Sequence, residues 1–158
     1  MTDWKSIEEH VTFRDSDDHD ALIKSLSIML AGKPSSYHVE FQVAEAQKIA
    51  FRAPITEIAE AYVQDKTAEL SQNASKLFES VARDSDGFVG ATTGWSVEDV
   101  EHEKLDGKGK LFTLAVGWKS VDAHMNARNT EGFKASIGGI RKHIKSMAAY
   151  HVTTRYVK

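Results

Sequence analysis

Residues 110–120 read KLFTLAVGWKS, a run of apolar residues that ends in a tryptophan and is followed closely by a serine. A short apolar run of this kind, rich in β-branched and aromatic residues, predicts a strand. Ser120 stands immediately before Val121, and serine is a preferred residue at the N-terminal cap of a helix. The stretch therefore predicts a strand that leads directly into a helix.

Two further strands and a helix are predicted on the N-terminal side of this stretch. Residues 88–95 predict a strand joined to residues 110–118 by a charged loop, and Ile55–Val63 alternates as a half-buried strand does. Between these strands apolar residues recur at helical spacing: Leu70, Ala74, Leu77, Phe78 and Val81. With a closing strand at 150–156, the order from about residue 53 is β-α-β-β-α-β. That order is typical of ferredoxin-like α+β domains with an antiparallel sheet.

The heptad that begins at Trp118 occurs a second time near the start of the chain. Residues 118–124 read WKSVDAH and residues 4–10 read WKSIEEH. The match continues at the same offset and then, after a slip, into the closing strand: Arg14 on Arg128, Ala21 on Ala135, Ile23 on Ile137, Leu26 on Ile140, Leu30 on Ile144, and Tyr37-His38-Val39 on Tyr150-His151-Val152. Internal similarity of this kind marks duplicated units. We interpret residues 1–52 as a partial first repeat, a helix plus a strand, and residues 53–158 as a complete repeat.

The last helix and strand of the repeats carry two further expectations. Gly138 and Gly139 interrupt the helical pattern, at a cost of about 1 kcal/mol each relative to alanine, which predicts a helix joint or a close backbone contact. In the closing strands the period of two puts the tyrosines and valines on one face and His38 and His151 on the other. We expect the apolar face to meet the helices and the histidines to face away from them.

The amino-acid composition excludes several classes of function. The 158 residues are 41% hydrophobic and 27% charged, which suits one compact domain. Acidic and basic residues are mixed to a net charge of −3, so no basic stripe indicates nucleic acid as a partner. The absence of cysteine excludes disulfides and thiolate chemistry. The sequence shows no run of about 18 apolar residues and no signal-like start, and we predict a cytoplasmic protein without a membrane partner.

The sequence resembles the antibiotic-biosynthesis-monooxygenase-like domains of the dimeric α+β barrel superfamily. The resemblance rests on residues 53–59, APITEIA, which open a strand, on residues 116–120 with His124 at the strand-to-helix turn, and on the closing strand at 150–152. The chain looks like the tandem form found in fungal proteins, with a first unit reduced to its last helix and strand. The resemblance implies a sheet with helices on one face, while the other face meets a second sheet and closes a barrel.

Within such a barrel, His151 and His38 would face the interior, with Arg155 beside His151. Histidine titrates near neutral pH, and an enclosed imidazole is suited to general acid–base catalysis. His124 falls about one turn into the helix after Trp118, at the barrel mouth, and is a further catalytic candidate. The alternative for each is structural: a hydrogen bond across the sheet for His151 and His38, and orientation of the turn for His124.

Four other side chains are candidates for ligand contact or catalysis. Trp95 follows a glycine-punctuated segment and is suited to stack on a flat ligand, or else packs in the core. Glu57 and Glu60 fall on opposite faces of one strand, so one of them points inward. Tyr62 shares the face of Glu60, and its phenol is suited to donate to a carbonyl or an enolate. A solvated strand edge is the alternative for Glu57, Glu60 and Tyr62.

The leading hypothesis is an enzyme that acts on a hydrophobic aromatic or polyketide-like molecule by acid–base chemistry without a bound cofactor or metal, as a cyclase, isomerase or monooxygenase. The acidic stretch 15–20 lacks the glycine and distal glutamate of a calcium loop, and a solvated helix start explains it. Two alternatives stay open: a non-catalytic binding or stress-related protein with the same fold, and a haem-binding protein with a histidine ligand. The partial first repeat cannot close a two-sheet barrel within one chain, so we expect a homodimer.

Overall fold

The computed structural model describes residues 4–30 and 36–153. The chain divides into two compact units, Met1–His38 and Val39–Lys158. The first unit contains the N-terminal copy of the tryptophan-led heptad, and the second contains the segment that carries the β-α-β-β-α-β pattern. None of the helices in the two described ranges has the length and apolar character that a membrane crossing requires.

The first unit holds two helices, α1 (Ile7–Arg14) and α2 (Asp17–Leu26). Ser6 caps α1, since its Oγ accepts a hydrogen bond from the backbone N–H of Glu9 at 3.2 Å. The sequence pattern predicts one helix here, but the structure has two. The reason is Ser16, whose hydroxyl caps a new helix by accepting from the backbone N–H of His19 at 3.4 Å.

The second unit is an α+β fold with an antiparallel sheet. In chain order its elements are β1 (Val39–Phe41), α3 (Ala44–Arg52), β2 (Ile55–Val63), α4 (Ala68–Asp84), β3 (Phe88–Ser96), β4 (Val100–Glu101), β5 (Lys108–Trp118), α5 (Val121–Ala127), α6 (Glu131–Arg141) and β6 (Ser146–Val152). The strands lie in the order β1-β3-β5-β2-β6, every neighbouring pair is antiparallel, and β4 pairs with β5. The predicted fold class is confirmed, with β2, β3, β5 and β6 as the four ferredoxin-like strands.

One face of the sheet is covered by α4 and α6. The apolar stripe predicted for α4 is buried there: Leu70, Ala74, Leu77 and Val81. The strands contribute alternate residues to the same core: Ala59, Ala61 and Val63 from β2, and Phe112, Leu114, Val116 and Trp118 from β5. Burial of this apolar surface stabilises the unit and determines which residues of each strand face the helices.

The opposite face is partly covered by α3, a helix that the sequence analysis did not predict. Its N-terminal cap is Val43, which makes no side-chain capping hydrogen bond, so the usual sequence signal is missing. Thr56 Oγ1 donates to the carbonyl of Ala50 at 2.9 Å. Gly117 lies beneath the same helix, where a Cβ atom would come within 2.7 Å of Ala53 Cβ. Glycine at this position therefore lets α3 approach the sheet closely.

A close backbone contact, and not a helix joint, explains the Gly138-Gly139 pair. Helix α6 continues through both residues. Asn73 of α4 donates from Nδ2 to the carbonyl of Gly139 at 3.0 Å, and a Cβ at Gly139 would lie 3.0 Å from the Asn73 side chain. A Cβ at Gly138 would meet nothing within 4 Å. Gly139 therefore lies at a close contact between α6 and α4.

Candidate functional site

A polar cluster lies on the helix-covered face, where β2, β5, α5 and β6 meet. Glu57 of β2 is the register partner of His151 of β6, so their side chains lie side by side on one face. Trp118 is the last residue of β5, and the Ser120 hydroxyl caps α5 by accepting from a backbone N–H at 3.1 Å. This cap sets the first turn of α5 and positions His124 against Glu57 and Trp118.

Three side-chain contacts join the cluster into a chain. Trp118 Nε1 donates to Glu57 Oε2 at 3.3 Å. His124 Nε2 lies 3.3 Å from the same oxygen, and His124 Nδ1 lies 2.8 Å from Nε2 of His151. We call Glu57, His124 and His151 the histidine chain. It runs from the core to the surface, because His124 is 6% exposed whereas His151 is exposed.

The His124 ring is held by both of its aromatic neighbours. It stacks on Trp118 with ring centroids 5.0 Å apart and 22° between the planes. It meets His151 edge-on, at 5.0 Å and 63°. Since both ring nitrogens are also engaged, the buried His124 imidazole has one orientation.

Burial determines the charge of this cluster. Burial, together with the positive charges of His151 in its protonated form and of Arg128, lowers the pKa of His124 from 6.5 to about 4. Burial also raises the pKa of Glu57, and the hydrogen bond from Trp118 and the charges of His151 and Arg128 oppose that rise. His124 is therefore neutral at neutral pH.

A neutral imidazole has one N–H donor and one acceptor nitrogen. Glu57 Oε2 faces Nε2 of His124, which assigns the proton of His124 to Nε2. Nδ1 of His124 then accepts from the Nε2–H of His151. The other nitrogen of His151, Nδ1, carries a lone pair at the surface, where it is able to take a proton from a bound molecule.

The orientation expected for the closing strand is wrong. His151 lies on the face that the helices cover, beside Glu57. Tyr150 lies on the opposite face, where its hydroxyl donates to Glu60 Oε1 at 3.3 Å. The physical reason is that the face of an edge strand is set by its pairing register, and Glu57 and His124 offer polar partners on the helix side.

The first unit contains the same arrangement of rings. Trp4 stacks on His10 at 4.7 Å and 22°, and Nδ1 of His10 lies 2.6 Å from Nε2 of His38. His10 meets His38 edge-on at 67°. The paired atoms, the stacking angle and the edge-on contact match those in the second unit. The structure thus places His38 in a histidine pair of its own.

Glu60 and Tyr62 lie on the sheet face opposite Glu57, as the alternation of β2 predicts. Tyr62 packs against His102 with ring centroids 4.2 Å apart. Burial and the charge of Glu60 raise the pKa values of Tyr62 and Tyr150, so both phenols stay protonated at neutral pH. The sheet separates this second cluster, which offers hydrogen-bond donors, from the histidine chain.

The remaining predicted site residues are spread over the second unit. Trp95 packs against the core, with its ring 4.6 Å from that of Phe112, which favours the core-packing alternative. Lys66 Nζ lies 5.9 Å from the centroid of the Trp95 ring. Glu57 belongs to the histidine chain, and its side chain is 16% exposed, so it does not lie at a solvated edge. Arg155 lies outside the described residues.

Sequence reasoning missed two contributors to this site. It treats Trp118 only as the end of a strand, whereas the structure shows Trp118 donating a hydrogen bond to Glu57. It does not single out Arg128, yet the charge of Arg128 acts on both Glu57 and His124. The signal for both lies in the repeat, because the tryptophan, the histidine and the arginine recur together in the first copy.

The fold is shared with solved monooxygenase-like structures. A candidate monooxygenase from Fusobacterium nucleatum is 12% identical with a TM-score of 0.54, and the match covers 95% of this chain and 65% of that chain. An anthrone oxidase-like protein is 14% identical with a TM-score of 0.54, over 94% of this chain and 66% of its own. These two likenesses establish the fold. SnoaB, a cofactor-independent oxygenase from Streptomyces nogalater, is 20% identical over 65% of this chain and 94% of its own, with a TM-score of 0.47.

The chain spans about two thirds of the length of the first two of these structures. These two likenesses show the fold alone. No protein-family model matches the sequence, and the comparison with curated proteins finds no match.

Proposed function

We propose that the chain is a small-molecule enzyme that transfers protons without a bound cofactor, with His151 as its general base. The observation that carries this proposal is the 2.8 Å contact between His124 Nδ1 and His151 Nε2, which leaves Nδ1 of the exposed His151 imidazole as its acceptor nitrogen. An oriented imidazole supported by a second group is the arrangement that general bases use in many enzymes.

Glu57 supports the base through His124. When His151 takes a proton it becomes a cation, and its Nε2–H still donates to His124 Nδ1. The carboxylate of Glu57 lies at the other end of the chain and balances the charge. Because His124 and Glu57 are shielded from water, this interaction is screened little. His151 then returns the proton to the product, so one imidazole acts as base and as acid.

The substrate class we propose is a hydrophobic aromatic or polyketide-like molecule with an acidic carbon or phenol. Deprotonation of such a group precedes cyclisation, isomerisation and cofactor-free oxygenation, and one base suffices for that step. A structural neighbour is an anthrone oxidase-like protein, and an anthrone is a flat aromatic ketone with an acidic methylene group. This neighbour supports the substrate class.

We also propose that residues 1–52 are a partial copy of the C-terminal repeat and that the chain forms a cytoplasmic homodimer. The ring geometry supports the copy, because the tryptophan–histidine stacking angle is 22° in both units. The histidine contacts also join the same two atoms, Nδ1 and Nε2, in each unit. An incomplete first repeat supports a dimer, because a twofold partner would cover the sheet face that the repeat leaves open.

Hydrogen–deuterium exchange at the methylene carbon of anthrone tests the proton-transfer step, and NMR under anaerobic conditions follows it. We expect the wild type to accelerate exchange and His151→Ala to lose about a hundredfold or more of that acceleration. His143→Ala is the matched control, because this histidine lies near Glu69, at 3.7 Å, and outside the histidine chain. Exchange by His151→Ala at the wild-type rate, or no acceleration by the wild type, would contradict the proposal.

A further inference from the structure

A surface cavity of about 510 Å³ lies between α5 and α6. Its lining begins at Met125, the residue after His124, and includes Arg128, whose backbone N–H donates to the His124 carbonyl at 3.2 Å. The residues that matter for its chemistry are Met125, Arg128, Phe133, Lys134, Ile137 and Arg141. Its volume is within the roughly 300 to 1,000 Å³ of small-molecule sites. The cavity is therefore large enough for a ligand, and it lies on the helix that carries His124.

The charged residues that line the cavity are all positive. Lys134 is paired with Glu131 at 2.9 Å. Arg128 and Arg141 have no ion pair with any side chain in the ranges 4–30 and 36–153. A guanidinium that is not paired with a carboxylate side chain is available to a bound anion. It binds such an anion through two parallel N–H donors. The two arginines thus favour a planar anionic group such as a carboxylate.

Two asparagines, Asn126 and Asn129, and three apolar side chains form the rest of the wall. Phe133 and Ile137 are half-buried and pack with one side against the core, so their other side is open to the cavity. Met125 is 46% exposed, and its flexible thioether adapts to ligands of different shape. The apolar side chains beside the two arginines are complementary to a molecule with an aromatic body and an anionic substituent.

We propose that this cavity binds an aromatic carboxylate, with the carboxylate on Arg128 and Arg141 and the ring against Phe133. Arg128 connects this cavity to the site described above, because its charge also acts on Glu57 and His124. The inference rests on the proposed function only in taking the ligand as the substrate of His151. Binding itself needs no turnover and is measured separately.

The test compares 2-naphthoate with 2-naphthamide, a neutral molecule of nearly the same shape, by isothermal titration calorimetry. We expect naphthoate to bind about tenfold more tightly or better, because hydrogen bonds to charged groups are the stronger ones. Arg128→Gln and Arg141→Gln should each remove most of this preference. Arg83→Gln is the matched control and should keep it, since this arginine lies on α4 and pairs with Asp84 at 2.8 Å. Backbone amide shifts on adding naphthoate should centre on residues 125–141.

The inference would be overturned if the two probes bound with equal affinity or if naphthoate showed no saturable binding. It would also be overturned if both cavity variants bound naphthoate as the wild type does, or if the amide shifts centred elsewhere. His151→Ala separates this inference from the proposed function. It should bind naphthoate as the wild type does while losing anthrone exchange. If it retains exchange while Arg128→Gln loses naphthoate binding, the assignment of the base is wrong and the cavity inference stands.

Discussion

Replacing His124 with glutamine should remove a pH-dependent part of the stability of the second unit. The pKa of His124 is lowered by burial to about 4 in the folded chain, against 6.5 for an unperturbed histidine. Between these two values the unfolded chain binds a proton that the folded chain does not. The contribution of His124 is therefore complete above about pH 6.5 and is lost as the pH falls through about 4.

The magnitude follows from the difference between the two pKa values. At about 1.4 kcal/mol per pKa unit, the loss amounts to about 3 kcal/mol in the free energy of unfolding. Glu57 contributes with the opposite sign, because burial raises its pKa and its part of the stability is lost as the pH rises. Comparing the wild type with His124→Gln at each pH isolates the histidine, since Glu57 and the exposed carboxylates are present in both chains.

Urea unfolding followed by circular dichroism measures the effect at several pH values between about 4 and 7. The stability difference between wild type and His124→Gln should change by about 3 kcal/mol across this range, in favour of the wild type at the upper end. When Glu57→Gln is introduced into both chains, the stability difference between them should change with pH by the same amount, because burial is the main cause of the lowered pKa of His124. Parallel curves for wild type and His124→Gln, or a His124 imidazole that titrates near 6.5 by NMR, would refute the reasoning.

Three other outcomes are expected. Trp118→Ala should lower the free energy of unfolding by about 3 to 5 kcal/mol, as truncation of a large core aromatic does, and a denaturation midpoint equal to that of the wild type would argue against its burial. Gly138→Ala should stabilise the chain by up to about 1 kcal/mol and Gly139→Ala should not, because only the second Cβ meets Asn73; identical thermal melts would speak against this contact. Light scattering at micromolar concentration should give twice the chain mass of 17.5 kDa, and a mass of 17.5 kDa would exclude the dimer.

Local periodicity made most of the sheet and its helices predictable. The α4 stripe and the alternation of β2 report burial on one face, which holds wherever the element lies in the fold. Helix α3 could not be predicted from local periodicity, because Val43 supplies no capping signal and the helix is held by a hydrogen bond from Thr56 of the following strand. A helix or strand that depends on contacts with later segments has only a weak signal in its own sequence.

The members of the histidine chain were each predictable as candidates, but not their grouping. Glu57, His124 and His151 come from β2, α5 and β6, and only the register between β2 and β6 brings the first and last together. The same register explains the wrong orientation of β6, since the alternation of Tyr150 and His151 alone does not tell which face the helices cover.

The position of β2 in the sheet also has a consequence for synthesis of the chain. β2 pairs with β5 on one side and with β6 on the other, and about 80 residues separate it from β6, so at about 5 to 20 residues per second the ribosome needs several seconds to deliver that partner. During this interval one edge of an apolar strand is open to pairing with another nascent chain. The speed of translation between residues 63 and 146 therefore influences how much of the protein reaches its native state.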